Sequence, residues 1–128
     1  MKLFMEPILF KTIDWNSIPV TEHAGETGVA RWKTIQCDRF RMRVIEYSKD
    51  YKANHWCSKG HLVFCLEGEM TSELSDGRVF TLSEGMSYQV SDGVSAHRSS
   101  SKGGVKLLIL DGGFLTHDKS VNRNPWRM

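Results

Sequence analysis

Beyond residue 38 the apolar and polar positions fall into short runs separated by turn residues, and no run keeps the spacing of a long amphipathic helix. In residues 39–47, Phe40, Met42 and Val44 alternate with Arg39, Arg41 and Arg43, which predicts a half-buried strand with the two sets on opposite faces. Residues 53–57 form a second short extended piece. Residues 61–66 are a continuous apolar run, consistent with a strand buried on both faces. Glu67-Gly68-Glu69 reads as a turn before another strand at 69–74. Asp76-Gly77 then sits between two strand candidates, a strong local hairpin signal. The return strand at 78–82, the strands at 87–90, 96–99 and 105–110, and the turns Glu84-Gly85 and Asp92-Gly93 complete the series.

Many short strands with frequent turns predict an all-β sandwich or barrel. Residues 1–38 are different. Pro7, Pro19, Gly25 and Gly28 break any longer pattern, and Thr12-Ile13-Asp14-Trp15 suits only a short turn with Trp15 as an apolar anchor. The expected organisation is one domain. An N-terminal segment, 1–39, wraps the core and supplies one or two strands; the barrel core covers 40–113; a polar tail covers 114–128, with Trp126 tying it down.

A chain of 128 residues can bury a core without disulfides or a metal. Its net charge of +2 is spread among acidic residues, which argues against a nucleic-acid-binding face. No stretch has the length of a membrane span, so no membrane partner is expected. The apolar start is interrupted by Glu6 and Pro7, unlike a secretory leader. Cys37, Cys57 and Cys65 are odd in number, which argues against a disulfide framework and for a reducing, cytoplasmic setting.

The chemistry gathers in Asn54-His55-Trp56-Cys57-Ser58-Lys59-Gly60-His61. On an extended segment His55 and Cys57 share a face, and Lys59-Gly60 lets the chain bend. His61 opens the next strand on the face of Val63 and Cys65, and His97 is the natural distant partner. Imidazole and thiolate are the donors a divalent first-row metal takes in a compact shell of three or four. They favour zinc or iron over magnesium or calcium.

These residues resemble a known family. The stretch 55–68 is similar to the first motif of the cupins: His55 falls on its first histidine, Cys57 on its second, His61 on its glutamate and Gly68 on its closing glycine. The stretch 85–97 resembles the second motif, with Gly85 opening it, Gly93 in its turn and His97 as its histidine. Ser91 stands where proline is usual, His97 falls one residue late, Ser101 replaces an asparagine and Lys49 an opening glycine. The string 54–61 with Gly85-Met86-Ser87-Tyr88-Gln89-Val90 looks like the small DHCW-motif cupins, with Asn54 in place of their aspartate. The resemblance covers 40–111. It implies a double-stranded β-helix, or jelly-roll, barrel with a metal near one mouth, and it puts Tyr88 and Val90 on the lumen wall.

Each residue also has a plainer role. Cys57 could be a small buried residue beside a three-histidine site, Cys65 suits core packing, and Cys37 is neither ligand nor nucleophile. His23 and His117 fall in loops and read as solvated; Trp56 reads as an outward packing anchor. Arg41 and Arg43 read as solvent-face residues, with an anionic substrate as the alternative role for one of them. Tyr88 is the candidate substrate-binding residue. Three functions follow: a mononuclear iron or zinc enzyme acting on a small molecule, a binding or sensor module, or a barrel with a structural metal. No independent base or nucleophile stands out. The apolar outward positions Leu62, Phe64 and Leu66, and the pairing habit of cupins, predict a homodimer.

Overall fold

The computed structural model describes residues 7–37 and 39–116. Within them lie nine strands and two short 3-10 turns, Trp15–Ser17 and Gly113–Leu115. The first turn is capped by the Asp14 carboxylate, which accepts from the Asn16 backbone N–H at 3.0 Å. The strands are β1 (Thr21–Ala24), β2 (Val29–Gln36), β3 (Phe40–Tyr47), β4 (Tyr51–Lys52), β5 (His61–Leu74), β6 (Val79–Ser83), β7 (Ser87–Val90), β8 (His97–Ser101) and β9 (Val105–Gly112). All the pairings are antiparallel.

Strand β5 organises the barrel. Its first half pairs with β9 on one side and β7 on the other; its second half pairs with β6 and β8. One curled sheet therefore runs β1-β2-β3-β9-β5-β7 and the other β6-β5-β8-β4. The handover occurs at a bulge between Cys65 and Glu67, where Leu66 has no partner in the register against β9. Gly68 follows with φ 80°, and a Cβ there would press into the Gly104 carbonyl oxygen. The expected turn at 67–69 is thus a bulge inside one 14-residue strand. A turn and a bulge use the same glycine; only the partners on both sides tell them apart.

Two further expectations are corrected. Residues 61–66 are not buried on both faces: His61, Val63 and Cys65 face inward, while Leu62 and Phe64 are exposed. In β3 the faces are reversed. Arg43 and Ile45 are buried, and Phe40, Met42 and Val44 lie on the other, half-buried side. Alternation fixes which residues share a face, not which face turns inward. Here the inward position opposite Arg41 is Asp111 of β9, so the arginines enter the barrel with a partner.

The core is the inward parity of these strands: Ala30, Ile45, Val63, Cys65, Met70, Leu82, Val105, Leu107 and Ile109. Ile45 and Leu107 are fully enclosed, each stabilising the fold by about 1.5–3 kcal/mol. This apolar packing fills one end of the barrel. Above it the barrel opens into a cavity of about 450 Å³, whose floor includes Ile45, Val63, Met70, Leu107 and Ile109.

Candidate metal centre

Three of the residues singled out in the sequence meet at the mouth of this cavity. The Cys57 sulfur and one ring nitrogen each of His61 and His97 lie within 4.8 Å of one another. Cys57 Sγ is 3.7 Å from His61 Nε2. Donors around a tetrahedral zinc sit about 3.3–3.6 Å apart, given ordinary metal–nitrogen and metal–sulfur bond lengths. Small side-chain adjustments would therefore close this group around an ion.

The backbone holds the group in place. Segment 53–60 is largely irregular, not the extended piece expected, yet Cys57 is clamped to β8 by two hydrogen bonds. The Cys57 N–H donates to the His97 carbonyl at 2.8 Å, and the His97 N–H donates back at 2.9 Å. The Gly60 N–H donates to the Asp92 carboxylate at 2.6 Å, and a Cβ at Gly60 would strike the backbone of 90–92. The glycine is thus what lets the loop close and deliver His61 to its strand.

The imidazoles are oriented for ligation. His97 Nδ1 lies 3.1 Å from the Ser95 carbonyl, which can only accept, so Nδ1 carries the proton and Nε2 is free. His61 Nδ1 is 3.4 Å from Asp111 Oδ2, near enough for electrostatic orientation although not aligned as a hydrogen bond. Asp111 is itself held by Arg41, through Nε at 3.1 Å and Nη2 at 3.0 Å, and by Arg43 Nη2 at 2.9 Å. Burial pulls the Asp111 carboxyl up, but the hydrogen bond from Arg41 and the charges of both arginines outweigh it and hold it below its ordinary range.

Hydrogen bonding to His61 and then to His97 lowers the Cys57 thiol to about 5, against the opposing effect of burial. The same contact with Cys57 raises His97 above its ordinary value. Cys57 is consequently a thiolate at neutral pH, the form that binds metal.

His55 stands apart from the three. It is exposed, lines the same cavity and lies outside the 4.8 Å group. Its Nδ1 is 2.8 Å from Asn54 Oδ1, while Asn54 Nδ2 donates to the Ala24 carbonyl at 3.4 Å. The amide can therefore face a carbonyl and an imidazole at once, and it leaves His55 Nε2 free. Tyr88 lines the cavity with its ring 6.2 Å from that of His97, and burial pushes its hydroxyl up to about 12. It stays protonated, a donor rather than a base.

Cys65 is fully buried and Trp56 is exposed under the Arg98 guanidinium, whose carbon is 4.8 Å from the ring. His23 is on β1 rather than in a loop, exposed and stacked 3.9 Å from Trp32. His117 and Trp126 fall outside the described residues. Asp111 was missed in the sequence, and Arg43 was read there as a solvent-face residue with an anionic substrate as its alternative. Both carried a signal: each shares its strand's inward parity, Asp111 with Ile109 and Leu107, and Arg43 with Ile45.

No protein-family model matches the chain, and no curated protein matches it. Solved structures do. An RmlC-like cupin from Shewanella frigidimarina is similar at TM-score 0.63 and 15% identity, covering 83% of this chain and 91% of that one. The Clostridium difficile EutQ protein is similar at TM-score 0.66 and 14% identity, covering 79% and 85%. The structure of Fe(II)-HppE with alternative substrate (S)-1-HPP is similar at TM-score 0.64 and 16% identity, covering 81% and 60%. The chain has the cupin fold, a jelly-roll β-barrel, with a Cys–His–His group able to hold a metal ion. Among the described residues no helix is long and apolar enough to cross a membrane.

Proposed function

We propose that this chain is a mononuclear metal protein of the DHCW-motif cupin group, with zinc or iron held by Cys57, His61 and His97 and a small molecule bound in the cavity beside it. The observation that carries this reading is the convergence of a thiolate and one nitrogen from each of two imidazoles within 4.8 Å, each ring with a contact at its Nδ1. His55 completes the shell by rotating inward: its exposed side chain is free to move and its Nε2 is unengaged. Bound there, the ion would act as a Lewis acid polarising an oxygen of the ligand. The protein's own residues hold the rest in place. Tyr88 offers a hydroxyl proton, and Asp111 orients His61.

A binding or sensor role without turnover is the second reading, and one observation favours it. Among the described residues no aspartate or glutamate lines the cavity, so no carboxylate there can serve as a base. In either role we place the protein in a reducing compartment such as the cytoplasm, because its thiolate site needs a reduced sulfur. We also propose a homodimer through the outer face where Leu62, Leu110 and Met42 align in one row and Phe64, Leu108 and Val44 in the next. A monomer mass by light scattering at micromolar concentration would remove the dimer.

Elemental analysis of purified protein tests the metal. One equivalent of zinc or iron is expected, and Cys57→Ala should lose most of it. No metal in either form after reconstitution would overturn the reading. Dioxygen consumption or product formation by the loaded protein would separate the enzyme from the sensor.

A further inference from the structure

The cavity carries an excess of positive charge that the metal ligands do not explain. Its wall includes Arg41, Arg43, Lys59 and Arg98. Arg98 is answered by Glu73 at 3.5 Å outside the cavity, and Lys59 is exposed to water. Arg41 and Arg43 are another matter. Both bind the one carboxylate of Asp111, so two buried or half-buried cations share a single anion. Among the described residues neither guanidinium has a hydrogen-bond acceptor other than Asp111.

The donors are also in surplus. The Arg43 side chain is 6% exposed, and its Nε has no hydrogen-bond partner in the protein. Its guanidinium lies 4.6 Å from the centre of the Trp32 ring, whose Nε1 is likewise buried without a partner. Buried N–H groups are nearly always satisfied in native proteins, so such neighbours on one cavity wall point to an absent acceptor. The surrounding wall is apolar and aromatic, with Ile45, Val63 and Tyr88.

We infer that the cavity binds a small monocarboxylic acid, its carboxylate received by the Arg43–Arg41 pair beside Trp32 and its apolar body packed toward Tyr88. This deepens the ligand-binding reading above and rests on it. A carboxylate offers two acceptor oxygens to the two neighbouring guanidiniums. An arginine fork also suits a planar anion.

The test titrates benzoate against benzamide, and hexanoate against hexanamide, into zinc-loaded and chelator-treated protein, with zinc content measured on each sample. Each acid should bind at least roughly tenfold tighter than its amide in both forms, as loss of a charge-assisted hydrogen bond implies. Arg43→Gln and Arg41→Gln should each shrink that preference severalfold; Arg41 is partly exposed, so its variant keeps the test available if Arg43→Gln misfolds. Equal binding of acid and amide would overturn the inference. So would a preference seen in zinc-loaded protein and lost when the zinc is removed, which would put the carboxylate on the metal, or tighter binding of inorganic phosphate. Protein that takes no zinc yet keeps the preference supports the carboxylate site and sinks the metal reading alone.

Discussion

The two ends of the barrel are built by the same strands and do opposite things. On β9 the inward positions run Val105, Leu107, Ile109, Asp111; on β5 His61 precedes Val63 and Cys65. On β3 Ile45 packs into the apolar end and Arg43 and Arg41 enter the polar one. The backbone pairing is continuous from end to end, so the difference lies in side-chain chemistry along one parity. The apolar end is stabilised by water exclusion alone. The polar end holds charges that are tolerable only together.

Three substitutions and a titration would break or sharpen this contrast. Asp111→Ala should be the most damaging, since it leaves two guanidiniums facing each other. We expect a loss of about 3–5 kcal/mol in chemical denaturation. If the protein folds, its zinc affinity should also fall by about 10–100-fold, because His61 loses the carboxylate that orients it. A stability loss with unchanged zinc affinity would show that Asp111 serves the arginines only. Leu107→Ala, on the apolar floor of the same cavity, should cost about 2–5 kcal/mol through lost packing while leaving zinc stoichiometry intact, since it offers no donor. A parallel loss of zinc would mean that the two ends are not separable.

Gly68→Ala tests the bulge that passes β5 from one sheet to the other. Its positive φ and the contact with Gly104 predict a loss of about 1–3 kcal/mol, read from the denaturation midpoint. The smallest effect is a titration. In metal-free protein Cys57 should react with iodoacetamide with a pH midpoint near 5. A midpoint in the ordinary thiol range would refute the contacts with His61 and His97. The linkage signs are opposite for the pair. Cys57 is lowered from 9.0, so its contribution to stability is complete above about pH 9 and is lost as the pH falls through about 5. His97 is raised from 6.5, so its contribution is complete below about 6.5 and is lost as the pH rises through its folded value.

The sequence by itself determined the all-β class, the Asp76-Gly77 hairpin and the candidate donors Cys57, His61 and His97, since turn chemistry, alternation and donor type are local properties. It could not determine which parity of β3 turned inward. That was decided by Asp111, 68 residues from Arg43 in the chain and 2.9 Å from it in space. Nor could it separate a turn from a bulge at Gly68, because both use a positive φ and only pairing on either side distinguishes them. Likewise His55 and Cys57 would share a face on a strand, but the loop at 53–60 is set by contacts to β8 and to Asp92, and it leaves His55 exposed on the cavity wall, outside the group of three. Periodicity says which residues travel together; the partner across the barrel says where they go.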